Sequence, residues 1–136
     1  SVMKRVPNVS KPEKEKTEPY VKVIPLGGME EVGRNMMYFE YTDSKSFHNG
    51  EIVIVDMGLQ FPEENMPGID YIIPNIDSLI NKRKKIKGIV ISHAHLDHIG
   101  AIPHIMPVLG ENIPIFGTDL TLAIIKKRQE DRDCCH

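Results

Sequence analysis

An α/β sandwich is the fold class this sequence predicts, and three observations predict it. Two compact β-branched runs, Ile52–Val55 and Gly88–Ser92, read as buried strands. An initial series of strands gives way to strands alternating with helical stretches, the pattern of layered α/β architecture. Finally, 40% hydrophobic and 26% charged residues over 136 positions suit one small core. That balance excludes wholesale disorder, a collagen-like repeat and a disulfide scaffold. The element count is that of the opening portion of a fold, and no internal repeat is visible.

The elements follow in order. Residues Ser1 to Pro19 mix charges with Pro7, Pro12 and Pro19 and show no apolar period, so they are expected to be a disordered tail. Order is expected from Tyr20. Val21, Val23 and Ile24 suggest a strand ending at Pro25, after which Gly27-Gly28 turns the chain. Met36–Thr42 and Ile52–Val55 flank a polar stretch closing on Asn49-Gly50, the pattern of an antiparallel hairpin. Ile52–Val55 lacks alternation, as expected of a strand covered on both faces. Asp56-Met57-Gly58 ends it and opens a loop holding Pro62, Pro67, Gly68 and Pro74. Asp77 is expected to cap a helix that buries Leu79 and Ile80. After Gly88–Ser92, a helix should begin near Gly100, since Pro103 suits only a first turn and Pro107 would disturb its end. Ile113 to Phe116 reads as a short strand. Thr118 then caps a last helix, with Asp119 in its first turn and Lys126, Lys127 and Arg128 towards its end.

Charge and composition narrow the function. Seventeen Lys and Arg against 19 Asp and Glu leave a net charge of −2, so no global basic field draws nucleic acid. No run free of charged residues is long enough to span a bilayer, and no apolar run near the N-terminus suggests a secretory signal. Cys134 and Cys135 are adjacent, a poor arrangement for a structural disulfide, and a reducing, cytoplasmic setting is expected. The densest basic patch is Lys82-Arg83-Lys84-Lys85 with Lys87. A solvated helix end complementing its own dipole accounts for it more simply than an RNA-binding surface does.

The chemistry concentrates in Ser92-His93-Ala94-His95-Leu96-Asp97-His98. In an extended segment residues two apart project to one side, so His93 and His95 can grip one cation together. Asp97 and His98 follow as the chain turns and can reach a second. Zinc accepts imidazole nitrogen and carboxylate oxygen readily, and manganese or iron tolerates them. Packing so many polar groups at the end of an apolar strand is costly unless they have such partners. His104 reads as a structural residue on the next helix, and His48 as solvated in the hairpin loop.

His93-Ala94-His95-Leu96-Asp97-His98 resembles the HxHxDH motif of the metallo-β-lactamase superfamily. Three further stretches are similar to ribonuclease J, a family of its β-CASP group: Pro25 to Asn35, Val55 to Glu63 and Gly68 to Pro74. The resemblance covers Tyr20 to about Gln129. It implies two divalent metal ions, zinc or else manganese, the first held by His93 and His95 and the second by Asp97 and His98. Asp97 and Asp56 take the catalytic roles: Asp97 also holds and deprotonates the attacking water, and Asp56 matches the family's early aspartate that orients a ligand histidine. Arg34 is implied as a phosphate contact. The implied activity is hydrolysis of RNA, as 5′ exonuclease and endonuclease, with RNA as partner, no membrane and a homo-oligomeric longer protein.

The family draws further ligands from segments well downstream, together with an inserted β-CASP domain and a C-terminal domain, and Gln129 to His136 matches nothing in its pattern. Residues 20–136 are therefore expected to be the N-terminal portion of a metallo-β-lactamase catalytic domain, a truncated part of an αββα sandwich with half of each coordination shell. Alone it is expected to bind metal weakly and to hydrolyse little. The alternatives are a hydrolase of the same fold acting on a thioester or lactone, and a non-catalytic metal-binding fragment.

Overall fold

A computed structural model describes residues 18–43 and 50–133, with side chains to residue 131. Most of the expected tail, together with His48, Cys134, Cys135 and His136, lies outside the described residues. The elements are β1 (Tyr20–Gly27), β2 (Met36–Thr42), β3 (Glu51–Val55), α1 (Asp77–Ile80), β4 (Ile86–Val90), α2 (Leu96–Ile99), α3 (Ile102–Leu109), β5 (Ile115–Phe116) and α4 (Asp119–Asp133). They build one five-stranded mixed sheet in the order β1-β2-β3-β4-β5.

Chain direction follows from the connections. Short links join β1, β2 and β3 as antiparallel neighbours, with Met37 opposite Val55 and Phe39 opposite Val53. The segments carrying α1 and then α2 and α3 allow β3, β4 and β5 to lie parallel, with Ile54 opposite Ile89 and Ile89 opposite Ile115. The fold class is α/β, as expected.

Helices cover one face of the sheet among the described residues. Met36, Tyr38, Ile52, Ile54, Ile86 and Ile89 bury there against Leu79, Ile102, Ile105, Leu109 and Ile125. Each such side chain contributes roughly 1.5–3 kcal/mol of burial. The opposite face stays open: Val21, Val23, Phe39, Tyr41, Val53, Val90 and Phe116 are all exposed. Ile52–Val55 therefore alternates, Ile52 and Ile54 inward and Val53 outward, and is not covered on both faces. Among the described residues only its inward face is covered.

Other boundaries shift for local reasons. Pro25 lies inside β1, an edge strand of the described sheet, the position in a sheet where proline is tolerated. Ile76, not Asp77, is the N-cap of α1, and Asn75 Oδ1, one residue earlier, accepts the Asp77 N–H at 2.8 Å. The expected helix near Gly100 comes as two, α2 and α3, with Pro107 tolerated inside the last turns of α3. β5 is only Ile115–Phe116. Thr118 does cap α4, its Oγ1 accepting the Thr121 N–H at 3.3 Å.

The basic patch also changes character. α1 is a single turn and Arg83–Lys85 a 3₁₀ turn, so there is no long helix whose dipole these cations complement. Two of them flank buried Glu40, with Lys82 Nζ 2.6 Å and Lys85 Nζ 3.8 Å from its carboxylate, while Arg83 donates to Val108 O and Lys87 lies near Glu51. The hydrogen bond that Lys82 donates to the Glu40 carboxylate raises the lysine's pKa above the ordinary value. The patch lines an open hollow of about 640 Å³ beside Glu51, at the opposite end of β4 from the histidines.

Candidate metal centre

The site forms where the parallel strands β3 and β4 end side by side. Leaving β3, the chain makes an unusual turn: Asp56 adopts φ +61°, a left-handed conformation that aspartate tolerates better than most residues. The turn sets residues 56–59 against the α2 segment. Asp56 N–H donates to Val90 O (2.9 Å), Met57 N–H to His98 O (2.8 Å) and Leu59 N–H to Leu96 O (3.1 Å), while Ala101 N–H donates back to Met57 O (2.9 Å). The approach is so close that glycine is required: a Cβ on Gly58 would lie 1.6 Å from the Asp97 carbonyl oxygen, and one on Gly100 would lie 2.4 Å from Leu59.

Within this scaffold Asp56 is buried and accepts three hydrogen bonds. Ser92 N–H donates to Oδ1 at 2.7 Å, Ser92 Oγ–H to Oδ2 at 2.8 Å, and His98 Nδ1–H to Oδ2 at 2.8 Å. Holding the proton on Nδ1 leaves the lone pair of His98 on Nε2, pointing to Asp97 Oδ2 at 3.4 Å. Ser92 Oγ, its own hydrogen spent on Asp56, accepts from His93 Nδ1–H at 3.0 Å, which likewise frees His93 Nε2.

His93, Asp97 and His98 each offer a ligand atom, all within 4.8 Å of one another. Bonds of about 2.1 Å in a tetrahedral site set neighbouring ligand atoms roughly 3.4 Å apart, so the Asp97–His98 separation suits a divalent cation. His95 stands alongside, Nδ1 3.2 Å from His93 Nε2. The expected pairs, His93 with His95 and Asp97 with His98, each lie within 3.4 Å of one another, and His93 also converges with Asp97 and His98. The donor set, two imidazoles and a carboxylate with imidazole tautomers already fixed, fits zinc or manganese.

A family model described as the metallo-beta-lactamase superfamily matches residues 32–122. The chain belongs to that superfamily. The chain is also similar to three proteins named Ribonuclease J or Ribonuclease J 1. The one from Thermus thermophilus is 44% identical over 82% of this chain, the one from Streptococcus pyogenes 40% over 82%, and the one from Mycolicibacterium smegmatis 39% over 79%. The chain spans 18–19% of the length of these relatives.

Other predicted residues of this metallo-β-lactamase chain fall further out. Arg34, with φ +49°, pairs with Glu31, and its Nε is buried without a hydrogen-bond partner among the described residues. His104 stacks on Tyr71 with ring centres 4.6 Å apart, away from the trio. Sequence reasoning missed two residues at the centre. Ser92 stood at the end of a strand with no motif to mark it, and Asn35 comes 62 positions before the aspartate it touches. The only available signal for Asn35 was its place in the Pro25 to Asn35 stretch. No helix among the described residues is long and apolar enough to cross a membrane.

Proposed function

We propose that this metallo-β-lactamase chain is part of a metal-dependent ribonuclease that hydrolyses RNA phosphodiester bonds with activated water, as a 5′ exonuclease, an endonuclease or both. The observation that carries the reading is the convergence of His93, Asp97 and His98 on one point, backed by Asp56, in a chain 39–44% identical to proteins named Ribonuclease J or Ribonuclease J 1. On this reading residues 20–136 open the catalytic domain of a longer cytoplasmic, homo-oligomeric protein, and the open sheet face supports a sandwich whose second layer comes from elsewhere.

Two divalent ions, zinc or manganese, would lower the pKa of a water and neutralise charge on a phosphodiester oxygen when bound. The chain's own residues do the rest. Asp56 and Ser92 keep the Nε2 lone pairs of His98 and His93 directed inward, His95 adds a donor beside His93, and Asp97 holds and receives the proton of the attacking water. Arg34, at the rim, contacts phosphate once its guanidinium exchanges Glu31 for substrate.

The test is a chimera in which residues 20–129 replace the matching segment of the Thermus thermophilus relative, assayed on 5′-monophosphorylated RNA and on a thioester. RNA cleavage that His95→Ala abolishes supports the reading. Cleavage of the thioester alone overturns it in favour of another hydrolase of the same fold.

A further inference from the structure

We propose that Asn35 is a positioning residue for the Asp97–His98 side of the metal centre: its amide donates to the Asp97 main-chain and side-chain oxygens and so holds the carboxylate beside His98 Nε2 before any cation arrives. This rests on the metal-site reading above, though not on RNA being the substrate. The geometry is specific. Asn35 Nδ2 lies 3.0 Å from the Asp97 carbonyl oxygen, 3.3 Å from Asp97 Oδ2 and 3.4 Å from His98 Nε2. The last two atoms are themselves 3.4 Å apart, and with the His98 proton on Nδ1 both are acceptors. Two such acceptors repel unless something positive lies between them. With Nδ1 of His98 committed to Asp56, the amide N–H groups of Asn35 are the donors the structure places there.

The orientation of this amide is fixed from both ends. The Asn35 N–H donates to Asp97 O at 3.1 Å and its C=O accepts from Gly58 N–H at 2.9 Å, bonds that any residue at this position would keep. The carboxamide oxygen points to Gly28, where a Cβ would come within 2.4 Å of it and where φ is +83°. Turning the amide over would set its oxygen against the Asp97 carboxylate and the imidazole lone pair. Gly28 and Asn35 therefore form one device: the glycine makes room for the oxygen so that the nitrogen faces the ligands.

A partner of this kind, acting through ligand residues, typically changes metal affinity 10–100-fold. Asn35→Leu, close in size but with no N–H to give, and Asn35→Ser, which keeps one shorter donor, are titrated with Mn²⁺ by electron paramagnetic resonance of the free ion. Co²⁺ absorption reports ligand geometry, and thermal unfolding of the metal-free chains serves as the folding control. The expected result is a 10–100-fold loss of affinity for Asn35→Leu, a smaller loss for Asn35→Ser and an altered Co²⁺ spectrum, with folding retained. Unchanged affinity and spectrum in Asn35→Leu overturn the proposal. If that variant does not fold, unchanged affinity in Asn35→Ser does so. Absence of binding by the unsubstituted chain overturns it together with the metal-site reading, whereas a chimera that binds metal but leaves RNA intact defeats only the ribonuclease assignment.

Discussion

At the scale of single residues, the centre is organised by a buried carboxylate. Asp56 accepts from Ser92 twice and from His98 once, so the charge stays satisfied while the imidazole is aimed. Asp56→Asn is the sharp probe, because asparagine also tolerates the left-handed conformation and leaves the turn intact. It cannot serve Ser92 and His98 with the same acceptors, so we expect metal affinity to fall 10–100-fold in a calorimetric titration. The unfolding free energy should fall by about 1–3 kcal/mol, measured in urea. Unchanged affinity would show that His98 needs no orienting partner. The histidines and Asp97 were legible from spacing, since they are packed into six consecutive positions. Asn35 was not, because a contact bridging 62 positions leaves no local pattern, and the grouping of His93 with Asp97 and His98 depends on how the chain turns into α2.

Among the elements, the decisive contact is the loop after β3 lying on α2. Main-chain bonds from Met57 and Leu59 to His98 and Leu96 stitch the two together, and Gly58 lets them meet. Gly58→Ala would force its methyl into the Asp97 carbonyl, 1.6 Å away. The loop and α2 must then separate, and we expect a loss of about 3 kcal/mol or more in chemical denaturation, with metal affinity lost in parallel. A Gly68→Ala control, at a glycine with nothing within 4 Å, keeps the metal affinity although its φ of +83° still strains the backbone. The strands of this region were readable because β-branched runs mark them. Their coverage was not, since an apolar run shows that a strand can be buried twice without showing what buries it.

For the molecule as a whole, the sheet divides two surfaces of unlike fate. One is sealed by helices, while the other exposes Val23, Phe39, Val53, Val90 and Phe116 across all five strands. An apolar face of this extent favours association. We expect light scattering from the purified chain to rise with concentration. Val23→Lys combined with Phe116→Lys should suppress that rise without lowering the unfolding midpoint, because neither side chain belongs to the helix-covered core; a lowered midpoint with unchanged scattering would refute the expectation. The parallel junction of β3 and β4 has a consequence of another kind. Through Asp56 it joins Val90 by an amide and Ser92 by a carboxylate, so fraying there releases sheet pairing and ligand aim in one event. On the metal-site reading, an ion held there would be released whenever that strand pair opens.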